Sequence, residues 1–251
     1  MPSITFSEDE KILLLKYCRM QIIKICRQFS LPYTVHSTSS HFIRNIFYRS
    51  DISEYSIDNL ITAAIFLGCK SEDINIELSL LLKNNVGLNE SLIFQYELLL
   101  AQYSDYRFSV SCPYLRMLGC IILLQEKDRV VVKRGQIDIN NVSIINTEIK
   151  NIENKSFDYE DVLKNIFFIE DINIFWRKSV INLDKIIIMS GFEKITATEL
   201  ALSSLDLPVK YLHSLLEKTD TKRIEEIRNS YLQLNIPDSN VISLLKNKIR
   251  K

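Results

Sequence analysis

Five cysteines and three histidines are the residues from which this chain would have to build a nucleophile or a metal site. A zinc site gathers four nitrogen or sulfur ligands, and redox centres pair thiols two residues apart. Cys18, Cys26, Cys69, Cys112 and Cys120 contain no Cys-x-x-Cys pair, and His36, His41 and His213 do not complete a ligand set with them. Cys18, Cys26 and Cys69 fall on apolar helix faces, where a free thiol packs as a small hydrophobe. His41 lies mid-helix beside Phe42 with no nucleophile motif to serve. No Gly-rich phosphate loop is present. The expectation is therefore a chain with no catalytic residues, no metal and no cofactor.

Two charges stand out instead. Lys70 ends an apolar segment, and at 100° per residue its face-neighbours are Ala63, Phe66 and Leu67. Glu97 shares a helix face with Ile93, Phe94, Leu100 and Ala101. A charge among apolar groups is costly unless it is paired. Three arrangements meet that demand. Lys70 and Glu97 face one another, or each captures backbone groups of a partner across a flat apolar patch, or Lys70 complements a helix C-terminus while Glu97 reaches water.

The elements that position them are helices. Ser7 followed by Glu10 is a capping box, and Ile12, Leu15, Cys18, Ile22, Ile25, Cys26 and Phe29 follow at helical spacing. Leu31-Pro32 ends that helix. A second runs from about Thr34 to Arg49 with Val35, Phe42, Ile46 and Phe47 on its apolar face. From Ser56 to Lys70 the third is apolar on nearly all sides, the mark of a central helix covered by its neighbours. A short helix at Ile76–Leu82 and a fifth at about Asn89–Tyr103 complete a helical domain.

The second half repeats the theme less regularly. Pro113 opens a helix through Leu124. Residues 127–155 lose the helical period, and Gln136–Asn140 alternates, so this stretch reads as an insertion, partly extended or mobile. Its basic run, Lys127, Arg129, Lys133 and Arg134, reads as a solvated face. Helical patterns return from Tyr159 to Met189. Thr196–Leu205 is small and apolar like the first central segment, short helices follow near Tyr211 and Thr221, and Pro237-Asp238-Ser239 starts a last one. The expected domains are 1–111, 112–236 with the insertion, and a terminal helix with basic tail at 237–251.

Composition agrees. The 251 residues are 47% hydrophobic, with only 5 Gly and 5 Pro, which favours helices over a turn-rich β fold. Lys+Arg and Asp+Glu are 31 each, so the basic excess of a phosphate-binding protein is missing and direct nucleic-acid binding is not expected. No apolar run approaches the ~20 residues that span a bilayer, and the acidic start is unlike a secretory signal, so no membrane partner is expected. An odd number of cysteines fits reduced thiols in cytosol or nucleus.

Ala63-Ala64-Ile65-Phe66-Leu67-Gly68-Cys69-Lys70-Ser71-Glu72 resembles the central-helix signature of the cyclin box. Tyr96-Glu97-Leu98-Leu99-Leu100-Ala101-Gln102, continuing through Tyr106 and Phe108 to Cys112-Pro113-Tyr114, is similar to the fifth helix and exit of that box. Lys16-Tyr17 and Cys26 agree, and the wording resembles the cyclin H branch of the family more than the mitotic cyclins. The resemblance covers about Phe6 to Leu124. It implies an all-α fold of two tandem five-helix cyclin-box domains with an additional C-terminal helix. It implies a non-catalytic regulatory subunit of a cyclin-dependent kinase: the transcription-linked, CDK-activating kinase of general transcription factor IIH, which acts on CDK activation loops and on the RNA polymerase II tail. The partners implied are the kinase catalytic subunit and a third assembly subunit of the complex, in the nucleus. Lys70 and Glu97 match the lysine and glutamate that hold the kinase's regulatory helix, and Tyr106 and Phe108 match apolar positions packed against it. The alternatives are another transcriptional cyclin, or a cyclin-fold general transcription factor core that binds DNA.

Overall fold

The computed structural model describes residues 6–83, 87–127, 129–138, 143–148, 166–191, 194–215, 221–233 and 237–249. Its α-helices are α1 (Glu8–Gln28), α2 (Tyr33–Arg49), α3 (Ile57–Ser71), α4 (Leu78–Lys83), α5 (Glu90–Tyr103), α6 (Pro113–Glu126), α7 (Ile172–Met189), α8 (Ala197–Ser204), α9 (Thr221–Tyr231) and α10 (Ser239–Ile249). Two 3-10 segments lie at Ile52–Glu54 and Val209–Leu215. Short strands β1 (Val130–Val132), β2 (Arg134–Asp138), β3 (Ser143–Glu148) and β4 (Phe167–Ile169) form two separate pairs, β1 parallel to β4 and β2 antiparallel to β3. The chain divides into two units.

The first unit comprises residues 1–112, 187–194 and 235–251. The linear division expected from sequence differs here, because α10 and the segment after residue 186 group with the first helices. The Ser7 capping box forms: the Glu10 amide donates to Ser7 Oγ at 3.2 Å and the Ser7 amide to Glu10 Oε2 at 2.9 Å. Glu8, Asp9 and Glu10 complement the positive end of the helix. Around α3 the packing is complete, with every residue from Asn59 to Cys69 buried. Two polar members of that run are satisfied: Asn59 donates to Ser56 Oγ at 2.8 Å and accepts from the Asn89 amide at 2.7 Å, and Thr62 donates to the Asp58 carbonyl at 2.9 Å. The core also draws Leu14, Leu15, Cys18 and Ile22 from α1, Phe42, Ile46 and Phe47 from α2, and Ile93 and Leu100 from α5.

One close approach sets the α2–α3 distance. A Cβ on Gly68 would lie 2.3 Å from Ser39 Oγ but 3.5 Å from Ser39 Cβ. Ser39 belongs to a small buried run on α2, Ser37–Ser40, and its short side chain is what allows the approach. Arg19, buried on α1, donates through Nη1 to the Ile187 carbonyl at 3.0 Å and to the Ser190 hydroxyl at 3.1 Å.

The second unit comprises residues 113–186 and 195–234. Tyr114 of α6 is fully buried and its hydroxyl donates to Asp184 of α7 at 2.6 Å. Thr196 and Glu199 make a second capping box at the start of α8. At its end, Arg228 of α9 donates to four carbonyls: Ser203 through Nε, Leu207 through Nη1, and Leu202 and Leu205 through Nη2, at 2.9–3.0 Å. One guanidinium thus satisfies backbone acceptors left over where the helix stops.

Two readings of the second half are corrected. The helical pattern read from Tyr159 gives a strand at Phe167–Ile169. Its side chains alternate, since Phe167 meets Phe175 and Tyr211 while Phe168 is exposed, and Val130–Val132 supplies a parallel partner. Thr196–Leu205 is not buried all round: Thr196 is exposed, residues 197–200 are half-buried, and only Ala201–Leu205 are buried. Glu199 and the exposed cap keep its first turn near water. In the expected insertion, β2 and β3 are extended, with Gly135 at φ 85° beside the register irregularity; residues 149–155 lie outside the described residues.

Gly68→Ala should destabilise the chain by about 1–3 kcal/mol, the usual cost of overpacking. Adding Ser39→Ala removes the crowding oxygen, so urea denaturation of the double variant should recover most of the loss; an additive pair would show that the contact is not the cause. A second expectation concerns acid. Burial, with a smaller contribution from Arg27, lowers the His36 pKa from 6.5 to about 4. Between those values the unfolded chain binds a proton that the folded chain refuses, so stability is full above pH 6.5 and falls as pH drops toward 4. At about 1.4 kcal/mol per unit, the loss is roughly 2–3 kcal/mol. Urea unfolding at pH 7 and 4.5 should show this extra loss in the wild type and not in His36→Gln, with His41 contributing equally to both.

Candidate partner-binding site

After the buried run Asn59–Cys69 of α3, Lys70 emerges and is exposed. Its Nζ donates to Glu97 Oε1 of α5 at 2.7 Å. The side chains are 50% and 16% exposed, so the carboxylate is the more sheltered member. The ammonium also sits 4.2 Å from the centroid of the Phe66 ring, one turn back on α3, and the Phe94 ring meets Phe66 edge-on at 6.2 Å. Of the three arrangements open from sequence, the two charges adopt the one in which they face each other.

The pair leaves capacity unused. A lysine ammonium has three donors and a carboxylate two oxygens, and the contact between them takes one of each. The surround is apolar and uncovered: Phe94 is 46% exposed and Leu98, one residue past Glu97, 57%. On an amphipathic helix the outward positions are ordinarily polar. Phe94 and Leu98, at i and i+4 on the face that carries Glu97, reverse that rule. Leu98 was not legible as a site residue, because the apolar run Leu98-Leu99-Leu100 does not show which member faces out.

Tyr106 and Phe108 lie past the end of α5, and no hydrogen bond or ring contact among the described residues joins them to the charge pair. Tyr106 is exposed, whereas Phe108 is half-buried against the core with its ring edge-to-face on Phe42 at 6.2 Å. Phe108 is therefore anchored more than presented.

A second polar cluster was missed in the sequence. Lys246 of α10 donates to both oxygens of Asp58, at 2.6 and 2.7 Å, and lies 5.2 Å from the centroid of the Tyr17 ring. Burial alone would lower the Lys246 pKa, but the hydrogen bond and charge of Asp58 outweigh it and raise the pKa. The residues are 188 positions apart, so no local signal links them. They border a cavity of about 260 Å³ lined also by Glu54, Tyr55 and Tyr96. The thiols of Cys18, Cys26, Cys69 and Cys120 are raised in pKa by burial, which disfavours the nucleophilic thiolate. Among the described residues no group of three or more His, Cys, Asp or Glu could hold a metal ion, and no helix is long and apolar enough to cross a membrane.

No protein-family model matches the chain. In sequence it is similar to cyclin-H of Xenopus laevis, 25% identical over 150 residues that cover 54% of this chain and 46% of that protein. It is similar to cyclin CCL1 of Saccharomyces cerevisiae, 23% identical over 141 residues covering 55% and 34%. The matched residues thus span less than half the length of these relatives. In structure it is similar to a chain of the CAK complex of Chaetomium thermophilum bound to ATP-γ-S, with a TM-score of 0.64 at 16% identity, covering 100% of this chain and 76% of that one. A chain of the yeast TFIIK (Kin28/Ccl1/Tfb3) complex gives 0.55 at 14% identity, covering 96% and 86%. A viral cyclin from herpesvirus saimiri gives 0.51 at 10% identity, covering 98% and 87%. The covered central helix, the lysine that emerges from it and the glutamate that meets it accompany a fold and a sequence likeness of one kind: the chain has the cyclin fold and is similar in sequence to cyclin H.

Proposed function

We propose that the chain is the non-catalytic regulatory subunit of a cyclin-dependent kinase, of the CDK-activating, transcription-linked kind, acting in the nucleus on CDK activation loops and the RNA polymerase II tail. The observation that carries this reading is the Lys70–Glu97 pair, set at 2.7 Å among exposed Phe94 and Leu98 with hydrogen-bonding capacity to spare. The similar structures are chains of the CAK and TFIIK complexes, the latter with Kin28 and Tfb3 beside Ccl1, which supports a kinase and a third assembly subunit as partners. The DNA-binding alternative lacks the basic excess it would need.

The mechanism follows from what such a surface can do. Protein kinases are active when the glutamate of their regulatory helix pairs with the ATP-orienting lysine. A subunit that binds the helix only in its inward position shifts the population toward that state by its differential affinity. Lys70 offers its two remaining N–H donors to carbonyls at an end of that helix, and Glu97 offers Oε2 to amides. Such charged hydrogen bonds are strong but demanding in geometry. Phe94, Leu98 and Tyr106 supply the apolar area, and Phe108, packed on Phe42, adds the part of its half-buried ring that stays accessible.

Lys70→Glu and Glu97→Lys should leave the chain folded, because a pair with one half-exposed member contributes at most ~1 kcal/mol to stability. Both should weaken the kinase complex by roughly 2–5 kcal/mol, and Phe94→Ala or Leu98→Ala by about 1–2 kcal/mol. The kinase is first identified as the catalytic subunit that co-purifies with the chain from its source, then cloned and titrated by calorimetry, with Lys24→Glu as exposed control. Wild-type affinity and activation in both reversed variants would sink the reading. Unfolding of either on circular dichroism would mark the pair as internal and structural.

A further inference from the structure

The turn that follows α5 contains two consecutive non-glycine residues in the left-handed region, Asp105 and Tyr106, each at φ 53°. Aspartate tolerates that region, but for a bulky tyrosine it is a real outlier. Such a backbone persists only where its surroundings over-determine it. Here the surroundings are on α2. Arg49 Nη1 donates to the Tyr103 carbonyl at 2.8 Å and to Asp105 Oδ1 at 2.9 Å. Asn45, one turn earlier on the same face, donates through Nδ2 to Ser104 Oγ at 3.3 Å. Residues 103, 104 and 105 are thus each gripped from one helix. The Tyr106 amide donates to the Ala101 carbonyl and the Arg107 amide to the Ser104 carbonyl, both at 2.9 Å, which closes the turn. Beyond it, Phe108 rests on Phe42, again on α2. Tyr106 is held between two anchors and yet is 59% exposed.

We infer that Arg49 and Asn45 are positioning residues whose role is to present Tyr106 to the partner kinase. This rests on the reading of Tyr106 as a kinase contact. A large aromatic fixed before binding loses little conformational freedom on docking, and so contributes more of its contact to affinity. Without the clamp, Asp105 and Tyr106 relax toward negative φ and the ring swings away from its place beyond α5.

The free chain and the cloned kinase subunit serve as probes. In Arg49→Ala, amide exchange at Tyr106 and Arg107 should quicken about tenfold and kinase affinity should fall roughly tenfold. Asn45→Ala, the milder variant if Arg49→Ala folds poorly, should do the same to a smaller degree. The double variant Arg49→Ala, Tyr106→Ala should bind no more weakly than Tyr106→Ala alone. Unchanged exchange in Arg49→Ala, or additive losses in the double variant, would overturn the inference while leaving the kinase reading intact. Wild-type affinity in Tyr106→Ala would instead remove Tyr106 from the interface, and the positioning role with it.

Discussion

A helix that is apolar on every side has no solvent face, so the elements around it must close completely, and α3 imposes this on the whole first unit. From Asn59 to Cys69 nothing is left exposed. Buried apolar area at roughly 25 cal/mol per Å² is the dominant stabilising contribution available, and it is collected here only if α1, α2 and α5 all pack at close range. The Gly68–Ser39 approach is the tightest expression of that demand, since a single methyl at Gly68 would already collide. The polar groups that fall inside are tied down, Asn59 to Ser56 and Asn89 and Thr62 to the Asp58 carbonyl. The helix must then stop somewhere, and where it stops it delivers a lysine.

That delivery fits the recognition role proposed for the charge pair better than a stabilising one. Lys70 and Glu97 are carried on helices rather than loops, so their backbones are fixed by the same packing that buries α3. The ammonium is half in water, which screens its attraction to Glu97 and limits what the bond contributes to folding. The surrounding Phe94 and Leu98 gain nothing from exposure in the free chain. An exposed phenylalanine and leucine beside a sheltered charge form the kind of anchor that the proposed kinase contact requires.

The first unit was legible because its signals are local and agree with one another. Ser7 and Glu10 announce a cap, Ser56 to Lys70 announces burial, and the face-neighbours of Lys70 and Glu97 announce that the two charges need partners. The second unit gave weaker signals. Phe167-Phe168-Ile169 has no period long enough to separate strand from helix, and its partner Val130–Val132 lies more than thirty residues away. Thr196–Leu205 has the composition of a buried helix, but its capping box draws the first turn toward water. The contact between Asp58 and Lys246 was out of reach for the same reason as the β1–β4 pair: long-range partners leave no mark on local sequence.

Tyr106 shows the other way a fold can fix a surface residue. Lys70 and Glu97 inherit their positions from a packed core, whereas Tyr106 follows a turn in a backbone state that tyrosine seldom adopts. Side-chain hydrogen bonds from α2 do for the turn what apolar packing does for α3. The two devices differ in how they would fail. Core packing is lost only with the unit as a whole, while a turn held by three polar contacts can open locally. On the proposed reading, a surface built from both combines a rigid charged centre with an aromatic flank whose order depends on a few side-chain hydrogen bonds, and that flank is where sequence changes would alter partner affinity at least cost to the fold.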